Sequence, residues 1–166
     1  MLQKPQVHTF AEAVAEHLGY IPAEPIDPIL QKIDGRLAYR PLFGTAESAD
    51  SIHVEPSGNF TIFMSGMTSS ERDRFTIAHE LGHYFLHFPL VRKRHPGKMM
   101  VATRWVDETD AIQRRAEWEA NWFAAAFLMP ADAFRQAATL CDNDVSELSA
   151  KFGVSLHAAK IRLRTV

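Results

Sequence analysis

The sequence has few of the features that would place it outside the cytoplasm. A single cysteine, Cys141, occurs in 166 residues, so no disulfide can form within the chain. No apolar run approaches the length of a membrane span or of a signal-peptide core. The formal net charge of -2 gives no overall attraction to nucleic acid or anionic lipid, so either partner would need a local basic patch. We therefore expect a reduced, cytoplasmic protein without membrane contact.

The length and composition are those of a single globular domain. Of the 166 residues, 46% are hydrophobic and 23% are charged, which is typical of a folded chain with a substantial core. A proline-rich stretch near residue 25 is too short to separate two domains. We expect one domain over residues 1–166.

Local patterns predict helices at both ends of the chain and strands between them. Thr9 to Glu12 form a capping-box pattern that would open a helix ended by Gly19, and a second helix would start at Asp27. Alternating apolar residues and a Pro-Ser-Gly-Asn turn indicate a small sheet. Its strands are predicted over residues 37–43, 51–55 and 59–65. The expected fold class is α+β.

The most informative stretch is RFTIAHELGHYFLH, from Arg74 to His87, which has the apolar spacing of an amphipathic helix. On a helix, His79 and His83 lie one turn apart on the same face, where both imidazoles can bind one metal ion. Glu80 points away from the histidine pair and can hydrogen-bond a water at the metal. This layout is typical of a zinc hydrolase. The alternative is a surface helix with two solvated histidines.

The same helix carries a further histidine, His87. It lies about 12 Å along the axis from His79, too far for both to bind one ion through bonds of about 2 Å. Ser69 and Pro89 predict the limits of the helix. We therefore interpret His87 as a residue of the last turn, favoured there by the negative end of the helix dipole.

A catalytic zinc site keeps three protein ligands, so one more must come from elsewhere in the chain. The best candidate stretch is EWEANWFAAAFLMP, Glu117 to Pro130, which reads as a helix that is apolar nearly all round and therefore buried. A buried carboxylate needs a partner, and Glu117 and Glu119 both qualify from spacing alone. Asn121, one turn after Glu117, could orient a ligand.

Together the two stretches resemble the ImmA/IrrE family of bacterial and phage metallopeptidases, whose second motif is similar to E-x-x-A-N-x-F-A-x-x-L-L-M-P. Both motifs match in order, and Phe127 replaces the usual leucine conservatively. The resemblance covers residues 50–130 strongly. It implies that His79, His83 and Glu117 bind zinc, with manganese as an alternative, and that Glu80 is the catalytic carboxylate.

The resemblance also implies a zincin-like α+β domain, in which a small antiparallel or mixed sheet packs on the helix of the HExxH motif. The core would span residues 36–130, and an edge strand would align a peptide substrate. Residues 131–166 would form a helical part, where ELSAKFGVSLHAAKIRL resembles a helix-turn-helix unit. Its basic residues, Lys160, Arg162 and Arg164, could contact DNA, but we favour packing against the catalytic core.

The remaining polar residues have ordinary explanations in the sequence. The basic segment over residues 91–98 would solvate a loop, and Asp107 or Thr109 would cap the second motif helix. Arg114 or Arg115 would either pair with Glu117 or stabilise an oxyanion. Three histidines outside the motif are expected at the surface: His8, His17 and His53.

Two functions follow from these patterns. The first is a zinc-dependent endopeptidase that cleaves a helix-turn-helix repressor and so relieves repression, as the resemblance implies. The second is a metal-dependent regulator that binds DNA or a repressor without proteolysis. The intact Glu80 favours the first, because only hydrolysis needs a base beside the metal.

Overall fold

The computed structural model describes residues 2–40, 50–66, 68–103 and 109–166 of the chain. The first half contains, in order, α1 Lys4–Leu18, α2 Asp27–Lys32, β1 Gly35–Arg40, β2 Asp50–Val54, β3 Phe60–Ser65 and α3 Ser70–Gly82. The second half contains a π-helix His83–His87, α4 Phe88–Arg94, β4 Met100–Thr103, α5 Ala111–Leu128, α6 Ala131–Leu140, α7 Val145–Phe152 and α8 Leu156–Leu163. No helix within these ranges is long and apolar enough to cross a bilayer.

The four strands form one mixed sheet in the order β1-β3-β2-β4. β1 runs parallel to β3, whereas β2 is antiparallel to both β3 and β4. The predicted turn joins β2 to β3, with Glu55 donating its backbone N–H to Asn59 O and Gly58 at φ 104°. The α+β class and the small mixed sheet are therefore confirmed.

Two strand boundaries differ from the predictions. β1 is described only as far as Arg40, and the rest of the predicted strand 37–43 lies outside the described residues. β4 was not predicted, because four residues at a sheet edge carry too short an alternation to distinguish a strand from a connection.

The core lies between one face of the sheet and the helices α1, α3 and α5. Alternate residues of the strands face it, as the two-residue period of a strand requires. The buried sheet residues are Ile52, Val54, Phe60, Ile62 and Met64. On the helical side, α5 packs against both α1 and α3, so this helix organises the side of the fold that carries both motifs.

Two helix boundaries correct the sequence predictions. α1 begins at Lys4 instead of Thr9, because Gln3 and Gln6 form the capping box and Pro5 occupies the first turn; Gly19 ends it as predicted, at φ 69°. The α3 segment does not end before Pro89 but continues through the π-helix into α4. Proline is tolerated there because the first turn of a helix does not need its missing N–H donor.

The continued helix also changes the interpretation of the basic segment 91–98. Arg92, Lys93 and Arg94 lie in the last turn of α4, so they are helical residues and not part of a solvated loop. Positive side chains at a helix C-terminus interact favourably with its dipole.

The C-terminal helices pack on the rest of the domain through a buried arginine. Arg162 is 1% exposed, and its guanidinium donates to Met129 O (2.9 Å) and Glu12 Oε1 (3.0 Å). It also lies 3.3 Å from His8 Nδ1. One of the basic residues considered for DNA contact therefore points inward, which agrees with the preferred packing role.

His8 is not the surface residue that the sequence predicts. It is half-buried against Arg162, and burial, followed by the charges of Arg162 and Lys4, lowers its pKa to about 4. His17, in contrast, is exposed as predicted.

Candidate metal centre

The two motif helices, α3 and α5, approach closely at a single glycine. A Cβ atom on Gly82 would lie 2.9 Å from Ala120 Cα and 3.2 Å from Ala120 O. These distances are shorter than side chains tolerate, and the contacted atoms belong to a buried backbone that cannot move aside easily. Gly82 and Ala120 therefore set the separation at which side chains from the two helices can share one ion.

We expect Gly82→Ala to destabilise the fold by about 1–3 kcal/mol, because overpacking outweighs the higher helix propensity of alanine. The variant should also bind metal more weakly, since its helices are pushed apart. Chemical denaturation and metal titration measure the two effects. Gly66→Ala is the control, because nothing lies within 4 Å of its added Cβ. Equal stability of the two variants would contradict the prediction.

Three predicted ligands converge between α3 and α5. The Nε2 atoms of His79 and His83 are 3.1 Å apart. Glu117 places Oε2 3.2 Å from His79 Nε2 and Oε1 3.2 Å from His83 Nε2. In a tetrahedral zinc site with bonds of about 2.0–2.2 Å, neighbouring ligand atoms are about 3.3 Å apart. The two imidazoles and the carboxylate therefore fit one divalent ion in both spacing and chemistry.

The electrostatics of this group match a cation site. Burial raises the pKa of Glu117, but the hydrogen bonds and charges of His79 and His83 outweigh it and lower the pKa to about 2. The carboxylate is therefore ionised at neutral pH. Burial lowers the pKa of His79, but Glu117 and Glu80 reverse the shift and raise it overall.

Asn121 orients one of the histidines, as the spacing predicts for this residue. Its Oδ1 lies 3.0 Å from His79 Nδ1. Because Oδ1 only accepts hydrogen bonds, the hydrogen of His79 belongs on Nδ1, and Nε2 keeps a lone pair toward Glu117 and His83.

Glu80 lies beside this group and is held by a residue that the sequence analysis missed. Its side chain is 4% exposed, and Ser51 Oγ donates to its Oε2 at 3.0 Å. Burial raises the pKa of Glu80 above its usual range, although the two histidines and Ser51 oppose the shift. Ser51 lies in β2 beside a register irregularity between Asp50 and Ile52. Simple strand alternation therefore could not place it at the site.

Comparison with known proteins identifies the family. The profile of the IrrE N-terminal-like domain, a peptidase family, matches residues 31–164. The chain belongs to this family. Its fold is similar to that of a Mycobacterium tuberculosis transcriptional regulator, with a TM-score of 0.65 and 18% sequence identity. The alignment covers 95% of this chain and 46% of that one, so the chain spans less than half of the regulator's length. No curated protein matches significantly.

Within this IrrE-like domain, Glu117 and Glu119 have different partners. Glu119 is 7% exposed and accepts a hydrogen bond from Arg115 Nε at 2.9 Å, while its other oxygen lies 3.3 Å from His87 Nε2. Glu117 faces His79 and His83. The geometry therefore separates the two glutamates that spacing alone left open, and Arg115 pairs with Glu119 instead of Glu117.

The start and the surface of α5 correct further predictions. Asp110 caps the helix by accepting from the N–H groups of Ile112 and Gln113, so Thr109 is not the cap, and Asp107 lies outside the described residues. Trp118 is 54% exposed. The helix therefore has an exposed side and is not apolar all round.

His87 and His53 also differ in their placement. His87 is not in a last helical turn; it lies inside a continuing helix and contacts His83 and Glu119. Burial, followed by the charge of His83, lowers its pKa to about 4. His53 is partly exposed as expected, and it pairs with Asp50 at 2.8 Å.

The candidate centre opens into a cleft of about 760 Å³. Its walls come from β2, β3, α3 and the start of α8, and they carry both polar and apolar side chains. Besides His79, Glu80 and Glu117, the lining includes Ser51, Glu71, Arg72, Phe75, Thr103 and Val154. The cleft is large enough for several residues of an extended peptide.

Proposed function

We propose that the chain is a zinc-dependent endopeptidase, with His79, His83 and Glu117 as metal ligands and Glu80 as the catalytic carboxylate. The observation that carries the proposal is the convergence of the three ligand groups within a cleft, with a buried glutamate beside them. Manganese accepts the same ligands, so it is the alternative ion. Membership of a peptidase family supports the proposal.

A divalent ion at this centre would polarise the scissile carbonyl and make a water molecule easier to deprotonate. Glu80 then accepts a proton from the water as its oxygen bonds to the carbonyl carbon. The C–N bond breaks, and Glu80 returns the proton to the leaving amine, which restores the carboxylate. Ser51 holds one carboxylate oxygen and leaves the other for this transfer. A raised pKa suits a group that must both accept and donate.

The proposed substrate is a helix-turn-helix repressor in the cytoplasm, whose cleavage relieves repression. The test is incubation of the purified chain, loaded with zinc, with the helix-turn-helix regulator encoded beside it. Two discrete fragments should appear, and a chelator should prevent them. Intact regulator after incubation with metal-loaded protein would count against this substrate.

The same experiment separates the alternative regulator that binds without cutting. A gel shift with promoter DNA in the absence of fragments would favour the alternative. The inward side chain of Arg162 argues against DNA reading by α8, because a buried guanidinium cannot contact phosphates.

A further inference from the structure

A row of four polar side chains leads from the surface of α5 to one of the proposed metal ligands. Arg115 Nε donates to Glu119 Oε1 (2.9 Å), and Glu119 Oε2 lies 3.3 Å from His87 Nε2. On the other side of the same ring, His87 Nδ1 lies 3.0 Å from His83 Nδ1. The side chains of Glu119, His87 and His83 are all largely buried. Hydrogen bonds in this row are therefore poorly replaced by water.

We infer that Glu119 and His87 are positioning residues, which fix the tautomer of His83 so that its Nε2 carries a lone pair toward the metal centre. This inference rests on the metal site of the proposed function. It assigns a role to a carboxylate and a histidine that take no part as ligands.

The inference follows from counting hydrogens along the row. A carboxylate held by arginine is ionised and only accepts, so His87 Nε2 must carry the hydrogen that faces Glu119. A neutral His87 then has a lone pair on Nδ1. That lone pair accepts from His83 Nδ1–H across 3.0 Å, and the second nitrogen of His83 is left free to bind a metal ion.

The reverse arrangement fails at both ends of the row. If His87 Nδ1–H donated to His83, then His87 Nε2 would turn a lone pair toward the carboxylate oxygen of Glu119. His83 would carry its hydrogen on Nε2, facing His79 Nε2 and Glu117 at 3.1 and 3.2 Å. That hydrogen would occupy the place of the ion, so only the first arrangement allows His83 to act as a ligand.

The backbone and the neighbouring side chains hold the row in place. The π-helix spans His83–His87, and such wide turns inside α-helices often mark functional sites. The two imidazole rings lie side by side, with centroids 5.0 Å apart. Arg115 is fixed by Glu119 and by the ring of Trp122, 4.8 Å from its guanidinium carbon. α5 thus orients both histidines, one through Asn121 and the other through Glu119.

The test compares His87→Phe with His87→Gln in the full chain. Glutamine can accept from His83 through its carbonyl and donate to Glu119 through its amide, whereas phenylalanine can do neither. Affinity for Zn²⁺ is measured by competition with a chromophoric chelator. We expect His87→Phe to lose about 10–100-fold in affinity and His87→Gln to stay near the wild type. His53→Phe is the matched control, because it removes a histidine–carboxylate pair outside the centre.

A second measurement needs no variant. Nitrogen NMR of the zinc-free wild type reports each ring tautomer, and we expect hydrogen on Nδ1 of His83 and on Nε2 of His87. The reverse tautomers, or equal zinc affinity in His87→Phe and wild type, would overturn the relay. If the wild type itself bound no Zn²⁺, the proposed metal site would fail instead, so the two failures are distinguishable.

Discussion

Replacing Glu80 with glutamine is expected to slow peptide-bond cleavage by about 10²–10⁴-fold, the usual contribution of a general acid–base group. Glutamine keeps the size of the side chain and its contact with Ser51 Oγ, now 3.0 Å from Oε2, but it cannot take a proton from water at neutral pH. The measurement is the rate of fragment formation from the repressor by metal-loaded protein. Zinc content is determined on the same samples.

The control for this substitution is Glu71→Gln. Glu71 lines the same cleft but lies in the first turn of α3, away from the three proposed ligands. We expect this variant to cleave at nearly the wild-type rate. Both variants should hold one ion per chain, because neither residue is a ligand. Unchanged turnover in Glu80→Gln would remove Glu80 from the role of base.

Sequence reasoning succeeded where a local period decides the geometry. His79 and His83 must share a face because four residues make about one helical turn, and the caps at Ser69, Asp144 and Ser155 depend only on neighbouring backbone N–H groups. These features need no knowledge of the rest of the fold. The same reasoning predicted that Asn121 orients a ligand, since it lies one turn from Glu117.

The third ligand could not be chosen by spacing, because the choice depends on the approach of two helices. Glu117 and Glu119 differ by two positions on α5, about 200° around the helix axis. Which of them faces His79 and His83 is decided by the contact of Gly82 with Ala120. Only the family resemblance separated the two carboxylates before the structure did.

The π-helix and the irregular register in β2 defeated the sequence in another way. Both depart from the ideal periods of 3.6 and 2 residues on which pattern reading depends. The wide turn keeps the helix going through Pro89 and holds His87 beside His83. The irregularity in β2 lies beside Ser51, which bonds Glu80. Departures from ideal geometry at functional sites are common in proteins.

Arg162 and His8 were misplaced because their partners are distant in sequence. A basic residue near a chain end is normally solvated, and nothing local indicates that Arg162 reaches Met129 O and Glu12. A buried guanidinium is tolerated only when such partners satisfy it. The contact ties α8 to α1, and it makes His8 a partly buried residue.

Replacing Glu117 with alanine is expected to remove the bound ion. The variant keeps two imidazoles, whereas a catalytic zinc site uses three protein ligands, and it loses the negative charge that balances the cation. Elemental analysis after dialysis should give about one zinc per chain for the wild type and close to none for Glu117→Ala. Added zinc should raise the melting temperature of the wild type alone, because only a bound ion stabilises the folded state.

The matched control is Glu119→Gln, two residues further along α5. Because Glu119 acts through His87 and not on the ion, this variant should retain zinc at saturating concentration and lose only affinity, by about 10–100-fold. Full zinc occupancy in Glu117→Ala would exclude Glu117 as a ligand. Complete zinc loss in Glu119→Gln with full occupancy in Glu117→Ala would instead assign the third ligand to Glu119, although its carboxylate contacts Arg115 and His87. The pair of variants therefore decides between the two carboxylates that spacing alone left open.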